Sequence, residues 1–198
     1  MENKIYALMG AQASGKATMA NQLLAMGIHF IPVYTTQEFS SHKRTRYNIS
    51  RENLYKTISS EEFAQMDFVV EFTHKGQSYG YRKDDILNSL RDHTINVIIL
   101  EITGLKPLSK LLKKKLETIF LMNDYVTLVD RLLHMGYNND EIKYHLQYAE
   151  NNREFELWKV CNHIIRNTCD KSTALIQLLA IMGLTMPIPQ EQFNERIK

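Results

Sequence analysis

The chain has 198 residues, 44% of them hydrophobic and 23% charged, a composition that excludes wholesale disorder and a length that suits one domain with a small insert. Lysine and arginine number 24 against 22 aspartates and glutamates, a formal net charge of +2, which gives no support to a dedicated nucleic-acid binder. The two cysteines, Cys161 and Cys169, make no zinc-ligand spacing and fit a reducing compartment. No run approaches the roughly 18 apolar residues of a spanning helix, so no membrane partner is expected. The start, Met1-Glu2-Asn3-Lys4, lacks the apolar stretch of a signal peptide, and the expectation is a soluble, cytoplasmic protein.

Ile5 to Met9 is an apolar run ending at Gly10, the pattern of a central parallel strand. Lys16 to Met26 places Met19, Ala20, Leu23 and Leu24 at helical spacing, and Gly27 closes the helix. Ile28 to Tyr34 predicts a second strand. Gln37 to Asn53 is polar, with Lys43, Arg44, Arg46 and Arg51, and reads as a basic loop. A short helix is expected from Ser60. Strands are expected at Phe68 to Phe72 and Ser78 to Tyr81, around a turn at Lys75-Gly76. Asp84 to Arg91 predicts a helix, and Asn96 to Ile102 a buried strand. Pro107 is expected to lead a lysine-rich helix whose charges form a solvated face. A strand at Glu117 to Met122 follows, then helices at Val126 to Met135, Asp140 to Phe155 and Ser172 to Met182. A short strand is expected at His163 to Arg166, and Thr185 to Lys198 reads as a polar tail. Strands alternating with helices indicate an α/β fold with a parallel central sheet. The stretch from 35 to 81 breaks the alternation and reads as an inserted, strand-rich lobe.

One motif carries chemistry by itself. The first strand ends in Gly10-Ala11-Gln12-Ala13-Ser14-Gly15-Lys16-Ala17-Thr18, and a helix follows. This is G-x-x-x-x-G-K in the strand–loop–helix setting of a phosphate-binding loop. The glycines let successive N–H groups curl around a phosphate, the helix N-terminus adds its positive end, and Lys16 supplies a point charge. The position after the lysine is usually Ser or Thr, whose hydroxyl meets magnesium. Here it is Ala17, with Thr18 next to it. The expected ligands are ATP and Mg²⁺, the metal being held mainly by water and by the nucleotide.

Further along come Tyr34-Thr35-Thr36, Tyr55-Lys56-Thr57-Ile58-Ser59-Ser60-Glu61-Glu62-Phe63, Val70-Glu71-Phe72 and Ser78-Tyr79-Gly80. Their order and spacing resemble the guanylate kinase family over nearly the whole chain. The resemblance implies a three-layer phosphate-loop fold with an inserted nucleoside-monophosphate-binding lobe and a helical lid. It divides the chain into a core of 1–34 and 82–184, with the lid at 126–155, a lobe of 35–81, and a tail of 185–198. It implies that Tyr55 and Tyr79, with Thr36, bind the acceptor phosphate. Glu71 would then read the guanine edge, and Thr103 would stand in for a second base-reading carboxylate. The family's Thr-Thr-Arg continues here as Thr36-Gln37, and Lys43 and Arg46 reproduce its basic pair when counted back from Tyr55. Glu101 falls where a carboxylate orients magnesium. In Leu128-Val129-Asp130-Arg131-Leu132, Arg131 matches a lid arginine that reaches the transferring phosphates. Two further lid arginines fall at Met135 and His145, and Arg153 is the nearest substitute. Asn167 matches an asparagine near the adenine, or caps a turn. Tyr81 and Val33 replace smaller hydroxyl residues. Trp158 reads as core or hinge packing, and His74 and His93 have no ligand-spaced partner.

The reading that follows is a kinase transferring the γ-phosphoryl of ATP to GMP, with Lys16, Arg131 and Arg153 as its catalytic cations. The alternatives are a nucleotide-binding or protein-interaction module with little activity, and a kinase for a different small acceptor. The expected partner is a nucleoside monophosphate, with a homodimer left open.

Overall fold

Lys4–Met9 forms the first strand, β1. Its Ile5, Ala7 and Met9 side chains enter one apolar cluster and its Tyr6 and Leu8 another. A strand buried on both faces belongs at the centre of a layered sheet. The computed structural model describes residues 2–38, 53–168 and 171–184. Lys43, Arg46, most of the 37–53 loop, Cys169 and the 185–198 tail lie outside the described residues.

The chain runs from β1 through helix α1 (Lys16–Ala25) to β2 (His29–Phe30), β3 (Val33–Thr35) and β4 (Tyr55–Thr57). Helix α2 (Ser60–Ala64), β5 (Phe68–His74), β6 (Gln77–Arg82) and helix α3 (Lys83–Asp92) follow. Next come β7 (Ile95–Ile99), α4 (Ile102–Leu112) and β8 (Leu116–Met122). Last are α5 (Tyr125–His134), α6 (Asn139–Asn151), β9 (His163–Arg166) and α7 (Lys171–Ile181). The central sheet has five parallel strands in the order β2-β7-β1-β8-β9. A second, four-stranded sheet has the order β4-β3-β6-β5, with β3 parallel to β4 and antiparallel to β6.

The expected single strand at Ile28 to Tyr34 is two strands in two different sheets. The break is at Ile31-Pro32, where proline has no N–H to continue a ladder. The strand expected to run to Ile102 ends at Ile99, and Ile102 opens α4. Pro107 lies inside that helix rather than at its head. The helix expected over Asp140 to Phe155 stops at Asn151. Arg153 there takes a left-handed φ of 54°, and a 3₁₀ segment, Glu154–Lys159, follows. The hairpin strands run longer than expected and meet at Lys75-Gly76, with φ of 50° and 75°. Two positive values in a two-residue loop mark the twisted turn that suits a hairpin. Trp158 is largely exposed rather than packed in a core.

The two sheets are joined by a specific bond. Tyr81 of β6 is fully buried, and its hydroxyl donates to the Ile99 carbonyl at 2.6 Å and accepts from the Ile99 N–H at 3.1 Å. Burial raises the Tyr81 phenol well above its ordinary value, so it stays a neutral donor. A third, smaller apolar cluster gathers Leu128, Leu132, Ile142, Leu146 and Ala149 of α5 and α6 against Ala11 of the phosphate loop. The α5–α6 pair is therefore packed directly onto that loop.

Candidate active site

The loop between β1 and α1 is shaped by two glycines. Gly10 has φ +146° and Gly15, which precedes α1, has φ +102°. A Cβ on Gly10 would stand 2.8 Å from Ser14 Oγ and 3.0 Å from the Leu121 carbonyl. One on Gly15 would stand 2.5 Å from Asn167 Nδ2. Both the backbone angle and the space demand glycine. Helix α1 has no acidic residue in its first turn and no side-chain cap, so its positive end is uncompensated.

Lys16 folds back over this loop, its ammonium donating to the Gly10 carbonyl and, at 3.0 Å, to the Ala11 carbonyl. Arg131 of α5 clamps the loop from the other side. It donates to Ala13 O at 3.2 Å, Ser14 O at 3.3 Å and Asn167 O at 2.7 Å. Asn167, at the end of β9, donates from Nδ2 to Ser14 O at 2.8 Å. Ser14 Oγ and Asn167 Oδ1 are buried and have no hydrogen-bond partner. Buried polar atoms without partners are uncommon, and of these two Ser14 Oγ, on the loop itself, is the one that has a proton to donate.

A cavity of about 780 Å³ opens over the loop. Ala11 to Thr18, Thr36, Tyr55, Tyr79, Glu101, Arg131 and Asn167 all line it. The structure therefore brings most of the expected site residues to one space. On the lobe side, Thr36 Oγ1 donates to Gln77 Oε1 at 2.9 Å and accepts from Ser78 N–H at 3.0 Å, and Tyr79 OH donates to Gln37 Oε1. Tyr79 stacks on Phe72 at 5.1 Å and meets the Tyr55 ring edge-on at 6.5 Å.

Gly10, beneath the loop, is not part of the lining, and three further expected residues are not brought there. Glu71 is exposed and off the cavity. Strand alternation puts Phe72 and His74 of β5 on the cavity side and turns Glu71 away. Thr103 is exposed on the first turn of α4, whereas Glu101, just before that helix, faces the cavity. A helix turns about 100° per residue, so two positions on is the far side. Arg153 is exposed, and its neighbour Glu154 points inward instead, only 4% exposed. Lys43 and Arg46 lie outside the described residues.

Glu154 is a residue that motif reading missed. Burial raises its carboxyl to about 8, the adjacent Glu101 pushes the same way, and Lys16 opposes. His74, Lys75, His145 and Tyr148 were also missed as site residues. They close the cavity where the β5–β6 hairpin meets α6. Lys75 Nζ lies 3.2 Å from His145 Nε2, and the His74 ring meets Tyr148 edge-on at 4.8 Å. Burial first, then Lys75 and His74, push His145 down to about 4, with Glu141 opposing. Burial raises Tyr148 to about 12, helped by Glu101, Glu154 and Tyr144. The only cue to this group in the sequence is the Lys75-Gly76 turn, which marks where the hairpin tip lies. The contact with α6 bridges some 70 residues and has no local signature.

Among the described residues, no cluster of three or more His, Cys, Asp or Glu side chains forms a metal cage, and no helix is long and apolar enough to cross a membrane. No family model matches the chain, and no curated protein matches it. Among solved structures, it is similar to a guanylate kinase from Anaplasma phagocytophilum, with a TM-score of 0.63 and 14% sequence identity. The match covers 94% of this chain and 87% of that one. The α/β architecture with its five-stranded parallel sheet is thus a guanylate-kinase-like phosphate-loop fold.

Proposed function

We propose that the chain is a nucleoside monophosphate kinase, moving the γ-phosphoryl of ATP to an acceptor monophosphate. The observation that carries this reading is that the phosphate loop, with Lys16, opens into the same cavity as Tyr55 and Tyr79 of the second sheet. A reaction between two anions needs both held face to face in one space.

The residues suit a polyphosphate. Helix α1 has no acidic residue in its first turn to offset its positive end, Lys16 lines the cavity, and Ser14 Oγ on the loop is buried without a partner. Lys16 would exchange the Gly10 and Ala11 carbonyls for phosphate oxygens, which attract an ammonium more strongly. Arg131 holds the loop in shape through the Ala13 and Ser14 carbonyls. Tyr55 and Tyr79 would orient the acceptor through their hydroxyls. Glu101 lines the cavity where Ala17 offers no ligand, and its carboxylate would suit a magnesium ion that keeps most of its shell as water and phosphate, with the buried Glu154 beside it able to join only by giving up its proton. When bound, magnesium neutralises charge on the transferring phosphoryl group. The α5–α6 pair and the β5–β6 hairpin, already in contact through Lys75 and His145, would exclude water as a lid closing over the bound substrates.

GMP is the acceptor that the family resemblance implies. The outward placement of Glu71 and Thr103 favours a second reading, a monophosphate other than GMP, because guanine's donor edge calls for a carboxylate. A coupled ADP-release assay with ATP, Mg²⁺ and GMP, dGMP, AMP, UMP or CMP separates the two. Turnover with one or more acceptors is expected. ATP binding without turnover across the panel would replace the kinase reading with a non-catalytic nucleotide-binding module.

A further inference from the structure

A site where two phosphate-bearing molecules meet needs cations beyond the phosphate-loop lysine. Among the described residues lining the cavity, Lys16, Lys75 and Arg131 are the lysines and arginines. Arg131 is engaged with carbonyls of the loop and of Asn167. Lys75 is different in kind. It stands at the tip of the β5–β6 hairpin, and its ammonium reaches across to the lid. There it bonds to His145 Nε2 at 3.2 Å and lies 5.1 Å from the Tyr144 ring centroid and 5.8 Å from that of Tyr137.

Every one of these partners is uncharged. A lysine serving only as a latch between hairpin and lid would be held more firmly by a carboxylate, which would also cancel its charge. This cage holds the ammonium in place and leaves its charge intact. His145 accepts one of its three N–H donors, and the rings take none in a directed bond, so two remain for an anion. For that bond His145 must present a lone pair, and its buried, neutral ring does so. His74, Lys75 and Lys16 all line the same cavity.

We infer that Lys75 is a second phosphate-binding cation of this cavity, preset by Tyr137, Tyr144 and His145 and presented to the same space as Lys16. It would bring a second ammonium to the cavity from the β5–β6 hairpin. Its part in turnover rests on the kinase reading, whereas its part in anion binding does not.

The test uses the full chain and inorganic tripolyphosphate. Calorimetry with Lys75→Met should show about tenfold weaker binding, the loss of one charge-assisted contact, and Lys75→Arg should restore most of it. In the wild-type protein, tripolyphosphate should slow acylation of Lys75 by an N-hydroxysuccinimide ester several-fold, read by mass spectrometry, with exposed Lys110 as the reference. The acylation measurement needs no variant, so it stands if Lys75→Met misfolds. Unchanged tripolyphosphate affinity in a folded Lys75→Met protein, or acylation of Lys75 indifferent to tripolyphosphate, would overturn the assignment and leave Lys75 a latch. Absence of turnover with every monophosphate would remove the kinase reading while leaving both of these measurements intact.

Discussion

Two carbonyls of its own loop hold the Lys16 ammonium, and under the proposed function a polyphosphate carrying several negative charges would displace both. Lys16→Ala removes that exchange without touching the core, because the side chain lies in the cavity rather than in an apolar cluster. The expected outcome is a folded protein with an unchanged melting temperature and turnover reduced on the order of a hundredfold or more. Steady-state rates near wild type would contradict the role. At this scale the motif was legible because its chemistry is local: glycines, lysine and helix start lie within nine residues, and each is needed for a stated reason. Glu71 and Arg153 were misplaced because a one-residue shift along a strand or past a helix end turns a side chain to the opposite face. Nothing in the local sequence distinguishes Arg153 from the buried Glu154 beside it. What separates them is the positive φ at Arg153, where α6 gives way to the 3₁₀ segment.

Between elements, the Tyr81 hydroxyl is a joint. It satisfies both the N–H and the carbonyl of Ile99 in a fully buried place, and so ties β6 of one sheet to the end of β7 in the other. Tyr81→Phe keeps the ring's volume and leaves both backbone groups unpaired, which should cost about 1–3 kcal/mol in a denaturant melt. A loss below a few tenths would show that the joint is not energetically coupled. The alternation of strands and helices was legible from hydrophobic runs, but the division of Ile28 to Tyr34 between two sheets was not. Both halves are apolar, and only Pro32 marks the break. The contact between the hairpin and α6 predicts a pH effect. His145 titrates near 4 in the folded protein and near 6.5 as an ordinary imidazole, and the charged or titratable groups facing it are Lys75, His74 and Glu141. Between those values the unfolded chain binds a proton there that the folded one does not, so stability falls as pH drops through that window. Thermal melts from pH 7 to pH 4 should show the loss, and His145→Gln should flatten it. An unchanged slope in the variant would assign the effect elsewhere.

For the whole molecule, the layered sheet serves to hold one loop and one lobe at opposite sides of a shared space. The central sheet fixes the phosphate loop through β1, the second sheet carries Tyr55 and Tyr79, and the α5–α6 pair packs on the loop through Ala11. The order of motifs along the chain carries the α/β fold, whereas the cage around Lys75 joins residues some 70 positions apart and has no local signature. In the proposed function, donor and acceptor bind together in one cavity. The direct measurement is a calorimetric titration with adenosine joined through five phosphates to a second nucleoside, made once with guanosine and once with uridine. A molecule filling both ends should bind at least about tenfold more tightly than ATP, because its second half binds intramolecularly, and the tighter of the two identifies the acceptor base. Affinities equal to or weaker than that of ATP for both would contradict a single, shared site.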